Sequence, residues 1–166
     1  MLISKELEAA INAQIGNELG ASNQYLSIAS YFEGRSLREF GKFFFAQSEE
    51  EREHALKFLN YLLEVGAEVK IPAIAAPKPT FDSAEEAVQA ALTWEKEVTR
   101  QIYGLVEIAL KDKDYISQNF LDWYVKEQLE EISSMETLLA LVKMAGNNLL
   151  MLEPRLHELR EEEDED

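Results

Sequence analysis

Apolar residues return at alternating steps of three and four through four long stretches of the chain. That spacing belongs to helices that bury one stripe in a shared core. The first stripe reads Leu7, Ile11, Gln14, Glu18, Ala21, Tyr25, Ile28 and Phe32. The second reads Phe40, Phe44, Gln47, Glu51, His54, Phe58, Tyr61 and Val65. The third runs from Phe81 and Ala84 through Val88, Ala91, Glu95, Val98, Ile102 and Leu105 to Ala109. The fourth reads Leu121, Tyr124, Gln128, Glu131, Met135, Leu138, Val142 and Ala145. The steps never slip, and they predict helices over about residues 4–33, 37–65, 83–111 and 115–145, each about 45 Å long. Ser4 opens the first helix, Asp82 or Ser83 caps the third, and Gly66 and Gly146 stop the second and fourth. Gly34-Arg35-Ser36 and Asp112-Lys113-Asp114 are short links. Residues 67–82 hold Pro72, Pro77 and Pro79; they are no helix, and they are long for a turn.

Short, long and short links describe an all-α four-helix bundle with one crossover. The crossover is long enough to travel the bundle and let the third helix run parallel to the second. Residues 148–159 add a short amphipathic fifth helix, with Pro154 as an early break. One domain over residues 1–160 is expected, followed by an acidic, disordered tail at 161–166.

The stripes are not wholly apolar, and each is interrupted near its middle. Mid-helix positions share one level in a bundle, whichever way each helix points. Glu18, Glu51, His54, Glu95, Gln128 and Glu131 should therefore converge. A buried, unpaired carboxylate costs several kcal/mol or takes up a proton. No Lys or Arg occupies these positions, so the natural compensation is metal: two divalent cations would cancel four carboxylates, and His54 adds a nitrogen ligand. A shift of 77 residues maps Glu18 onto Glu95, Glu50 onto Glu127, Glu51 onto Gln128 and His54 onto Glu131. The pair Glu51-x-x-His54 faces one side of its helix, about one turn apart, where both side chains can share a cation. Its altered echo is Gln128-x-x-Glu131. Glu50, Glu127 and Glu130 lie beside the seam, as an acidic path or a third cation site.

Composition narrows the classes. The chain has 166 residues, 46% of them hydrophobic, and no Cys, which removes disulfides, thiolate zinc sites and Cys nucleophiles. A formal net charge of -16 argues against nucleic acid and against an anionic membrane surface. The opening residues lack the basic-then-apolar order of a signal peptide, and a cytoplasmic location is expected. Uncharged residues 19–32 are too few to span a bilayer.

At these residues the chain resembles the non-haem bacterial and archaeal ferritins. The resemblance rests on Glu18 with Tyr25, on Ser48-Glu49-Glu50-Glu51-Arg52-Glu53-His54, on Glu95, and on the run from Trp123 and Tyr124 through Lys126, Glu127, Gln128 and Glu130 to Glu131. It implies a first iron at Glu18, Glu51 and His54, and a second at Glu51, Glu95 and Glu131 with Gln128 nearby. A third would use Glu50, Glu127, Glu130 and Glu131, with Tyr25 as the phenol beside the site. It further implies oxidation of Fe2+ by O2 or H2O2, mineral storage, and a homo-oligomeric cage of 24 subunits. There the fifth helix would sit at the fourfold axis on Leu149, Leu150, Met151 and Leu152. If that helix points inward, the acidic tail enters the lumen. No haem is expected, because Arg52 stands where bacterioferritin carries its haem-ligating Met. Two other readings stay open on the residues alone: a di-iron oxidase of an organic substrate, and a metal-free helical adaptor.

Overall fold

In the computed structural model, which describes residues 1–165 with side chains through Leu159, five α-helices follow one another. They are α1 (Lys5–Glu33), α2 (Arg38–Glu64), α3 (Ala84–Lys111), α4 (Tyr115–Ala145) and α5 (Glu153–Glu165), with a 3-10 turn at Leu149–Met151 before the last. The caps are local chemistry. Ser4, Ser83 and Asp114 each accept the backbone N–H three residues on, satisfying donors that the first turn leaves orphaned. Gly66 takes the left-handed backbone, φ 72°, just past α2. In the α1–α2 link it is Ser36, φ 61°, and not Gly34 that adopts this conformation.

The helix directions follow from contacts at the two ends. Leu2 N donates to Val65 O, and Lys111 pairs with Glu6, so the start of α1 and the ends of α2 and α3 share one end of the bundle. The crossover then climbs along α1. Asn12 Nδ2 donates to Glu68 O, and Asn12 Oδ1 accepts from Lys70 N. Pro72 lies against Gly16 and Ile74 against Gly20. Gln24 donates to Lys78 O and accepts from Lys78 N. A residue every four along one face of α1 thus anchors the strap. A Cβ at Gly16 would sit 2.3 Å from Pro72 Cγ, so only glycine allows that approach. The strap returns the chain to the far end, and α3 runs parallel to α2.

Two apolar clusters fill the bundle. Phe32, Phe40, Phe44, Val88, Met135 and Leu138 pack toward one end. Leu7, Ile11, Phe58, Leu62, Ile102 and Tyr124 pack toward the other. Each fully buried Phe or Leu contributes about 1.5–3 kcal/mol. Between the clusters lies the polar layer the stripes foretold.

The fifth helix and the turn before it divide their apolar residues between the core and the surface. Leu150 and Met151 are exposed, while Leu152 and Leu156 insert into the first cluster. Glu153 Oε2 accepts the Glu39 N–H at 2.6 Å, supplying a remote cap to α2, whose own N-cap residue Leu37 has none to offer. The backbone is helical from Glu153 through Glu165; no Gly or Pro follows Pro154 to break it, and Glu favours helix.

Candidate metal centre

Glu18 comes from α1, Glu51 and His54 from α2, Glu95 from α3, and Gln128 and Glu131 from α4. All six are buried, Glu18 and Glu95 completely. One turn separates positions 51 and 54, so carboxylate and imidazole share a face. His54 Nδ1 lies 3.4 Å from Glu51 Oε2 and 3.8 Å from Glu18 Oε2, while Nε2 faces Glu127 Oε1 at 3.9 Å. Tyr124 OH donates to the His54 carbonyl at 2.7 Å, and the Trp123 ring meets the imidazole edge-on.

The donor atoms form three overlapping groups, each with its atoms within 4.8 Å of one another: Glu18, Glu51 and His54; Glu51, Glu95 and Glu131; His54, Glu127 and Glu131. Glu51 joins the first two groups and can bridge them. Glu18 Oε2, both oxygens of Glu51, His54 Nδ1 and Glu131 Oε2 have no hydrogen-bond partner although they are buried. Orphaned polar atoms are rare in protein interiors, and here they face one another. That donor set of carboxylates and one imidazole fits divalent iron.

Glu95 is held differently. Its Oε1 accepts the Tyr25 hydroxyl, and its Oε2 accepts Gln128 Nε2 at 3.1 Å. Gln128 Nε2 also reaches Glu95 O and Thr99 Oγ1, and Thr99 donates to Glu95 O at 2.8 Å.

The electrostatics follow from burial and crowding. Burial pushes Glu51 well up, and the charges of Glu95 and Glu18 push it further. Burial likewise raises Glu131, helped by Glu95 and Glu51. Burial raises Glu95, against the opposing hydrogen bonds from Tyr25 and Gln128. Glu18 goes the other way: burial pushes it up, but His54 and the Gln14 amide hold it below the ordinary carboxylate range. Burial works against the His54 imidazolium, yet Glu18, Glu131 and Glu127 lift its pKa to about 9. Burial and crowding thus push Glu51, Glu95 and Glu131 toward holding a proton, while Glu18 and His54 favour each other's charged forms.

A groove between α2 and α4 opens from this layer to the surface, lined by Glu50, Glu127, Glu130 and Glu131 among the apolar walls of Phe43, Trp123 and Leu138. Glu130 is exposed and joins none of the three donor groups.

The Ferritin family, described as a Ferritin-like domain, matches residues 8–145. The chain is 38% identical over 151 residues to "Ferritin BfrB" of Mycolicibacterium smegmatis, covering 91% of this chain and 83% of that one. It is 40% identical over 147 residues to "Bacterial non-heme ferritin" of Staphylococcus aureus, covering 89% of each. The chain belongs to the ferritin family. The fold agrees: an open pore ferritin from Archaeoglobus fulgidus superposes with a TM-score of 0.91 at 36% identity, over 93% of this chain and 96% of that one. As a ferritin the protein binds and stores iron and oxidises Fe2+ to Fe3+. Among the described residues, no helix is long and apolar enough to cross a membrane.

In this ferritin the structure brings together the six seam residues named from the sequence. Tyr25 lies in the same layer through Glu95, and Glu127 joins through His54. Glu50 reaches the layer through its charge on Glu131, and Glu130 stands apart at the groove. Three residues of the site escaped the sequence reading. Gln14 donates to Glu18 Oε1 at 2.9 Å; its place on the seam, one turn before Glu18, could have revealed it. Thr99 lies off the seam, one turn after Glu95. Tyr124 reads as packing, yet its hydroxyl also fixes the His54 backbone.

Proposed function

We propose that this ferritin oxidises iron at a paired site, with a first Fe2+ on Glu18, Glu51 and His54 and a second on Glu51, Glu95 and Glu131. Iron is the substrate here. The reading is carried by the five unpartnered donor atoms that face one another at the waist of the bundle. Gln128 steadies Glu95, and Tyr25 holds its other oxygen. Each Fe2+ releases one electron, and two electrons take O2 to the peroxide level or H2O2 to water. Carboxylate and imidazole ligands suit both oxidation states of iron. A third ion takes Glu127 and Glu131, with Glu50 and Glu130 at the mouth of the groove. No haem takes part.

The oxidised iron collects as mineral inside a homo-oligomeric cage of 24 copies in the cytoplasm. Support for an oligomer comes from Tyr115, Ile116, Leu129, Met144, Leu150 and Met151, each at least 61% exposed and apolar enough to favour cover by another subunit.

Aerobic Fe2+ addition, followed by near-ultraviolet ferric absorbance and gel filtration, tests the reading. The native protein should oxidise iron rapidly and elute as a large particle. Glu18→Ala and His54→Ala should slow oxidation sharply without changing particle size. A wild-type rate in both variants would overturn the site assignment.

A further inference from the structure

Gln14 is 2% exposed and points into the site, although it offers no ligand to a metal. Its Nε2 donates to Glu18 Oε1 at 2.9 Å, leaving Glu18 Oε2 as the carboxylate's unpartnered oxygen, aimed at His54 Nδ1. A side-chain amide could turn either way, and its partners decide which. The Glu18 carboxylate, held low, accepts only, so Gln14 turns its amino group there, and its Oε1 is left to accept from Asn17 Nδ2 at 3.2 Å. The second half of the bundle has no such pair. The shift of 77 that maps Glu18 onto Glu95 takes Gln14 to Ala91 and Asn17 to Trp94. There Glu95 is held instead by Tyr25 and Gln128, from two other helices.

We propose that Gln14, braced by Asn17, is a positioning residue that makes Glu18 a one-oxygen ligand and so sets the geometry of the first iron position. This rests on the assignment of Glu18, Glu51 and His54 to that position. A buried carboxylate oxygen seeks a partner. With Gln14 in place, Oε1 has one and only Oε2 turns to the ion. Without it, Oε1 is orphaned in a dry interior, and the carboxylate rotates to present both oxygens to the cation.

The probe is Co2+, titrated without oxygen into the assembled protein, with its visible d–d bands reporting coordination. Wild type should bind two ions in the layer, and Glu18→Ala should lose the first. Gln14→Leu should weaken the first ion by about 10- to 100-fold, the usual effect of losing a partner behind a ligand. Its d–d bands should move as Glu18 adds its second oxygen, while the second ion binds as in wild type. Asn17→Ala, which leaves the buried groups in place, should move both readouts the same way by less. Unchanged first-ion affinity and bands in both variants would overturn the proposal, as would equal weakening of the two ions. Wild-type binding by Glu18→Ala would instead overturn the site assignment, and the role of Gln14 with it.

Discussion

In α1 and α2 the free donor atoms of Glu18, Glu51 and His54 face one another, whereas in α3 and α4 both oxygens of Glu95 are already taken and Glu131 alone presents a bare oxygen. The two halves share one spacing, 77 residues apart, yet differ in readiness. The first half can receive a cation with its side chains as they stand. In the second, Glu95 must share or release a protein hydrogen bond to coordinate through either oxygen. Equal positions along two helices therefore do not make equal ligands; what each oxygen already touches decides how it can serve. Glu51, common to both groups, ties the unequal halves together.

The largest effect should come from that shared residue. Glu51→Ala should lower the initial Fe2+ oxidation rate by more than the ~10- to 100-fold typical of losing a supporting partner, and by more than Glu131→Ala, which touches the second position. Equal losses in a stopped-flow comparison would break the asymmetry. Gln128→Glu comes next. It replaces the amide that donates to Glu95 with another acid, so the metal-free protein should lose about 1–3 kcal/mol of stability. Added Zn2+ should recover the loss, as read by denaturant unfolding. Tyr25→Phe should cost about 1 kcal/mol, because it orphans Glu95 Oε1 alone. It should leave first-ion binding unchanged in an anaerobic titration.

The gentlest test is pH. The folded pKa of His54, about 9, lies above its ordinary 6.5. Its contribution to stability is therefore full below about pH 6.5 and fades as pH rises through 9. Glu51 and Glu131 are also raised, so ionising them in the fold adds a cost in the same direction. Glu18, held low, is ionised throughout this range and adds no slope. The melting temperature of the metal-free protein should fall between pH 6.5 and 9. Zn2+, by replacing protons with a cation, should flatten the curve. A flat curve without metal would mean that folding does not raise the His54 pKa.

Much of this was readable in advance. Every seam position named from the three-and-four spacing is buried, except Ala145, which is partly so. Burying a stripe is the one demand that leaves a periodic trace in sequence. The face of α1 beneath the crossover left no such trace. Glu8, Asn12, Gly16 and Gln24 look like a solvated face, yet all but Gly16 bond to the strap's backbone, and Gly16 admits Pro72. Polar residues face water and a polar backbone alike, so their spacing carries no sign of which one covers them. The fifth helix was only partly legible for a related reason. Four apolar residues in a row, 149–152, do not show which of them turns inward. The remote cap by Glu153 and the insertion of Leu156 settle it.

Residue order alone sets four amphipathic helices, their links, and the level at which acids interrupt the oily seams, because periodicity and caps act within a few residues of chain. It also sets the charge imbalance that asks for cations. Which oxygen of each acid is spent on a neighbour, which is left bare, and how a proline strap clasps α1 all depend on groups 50 to 70 residues apart meeting at hydrogen-bond distance. Such meetings exist only once the helices have packed, since no local spacing encodes the partner that arrives from another helix.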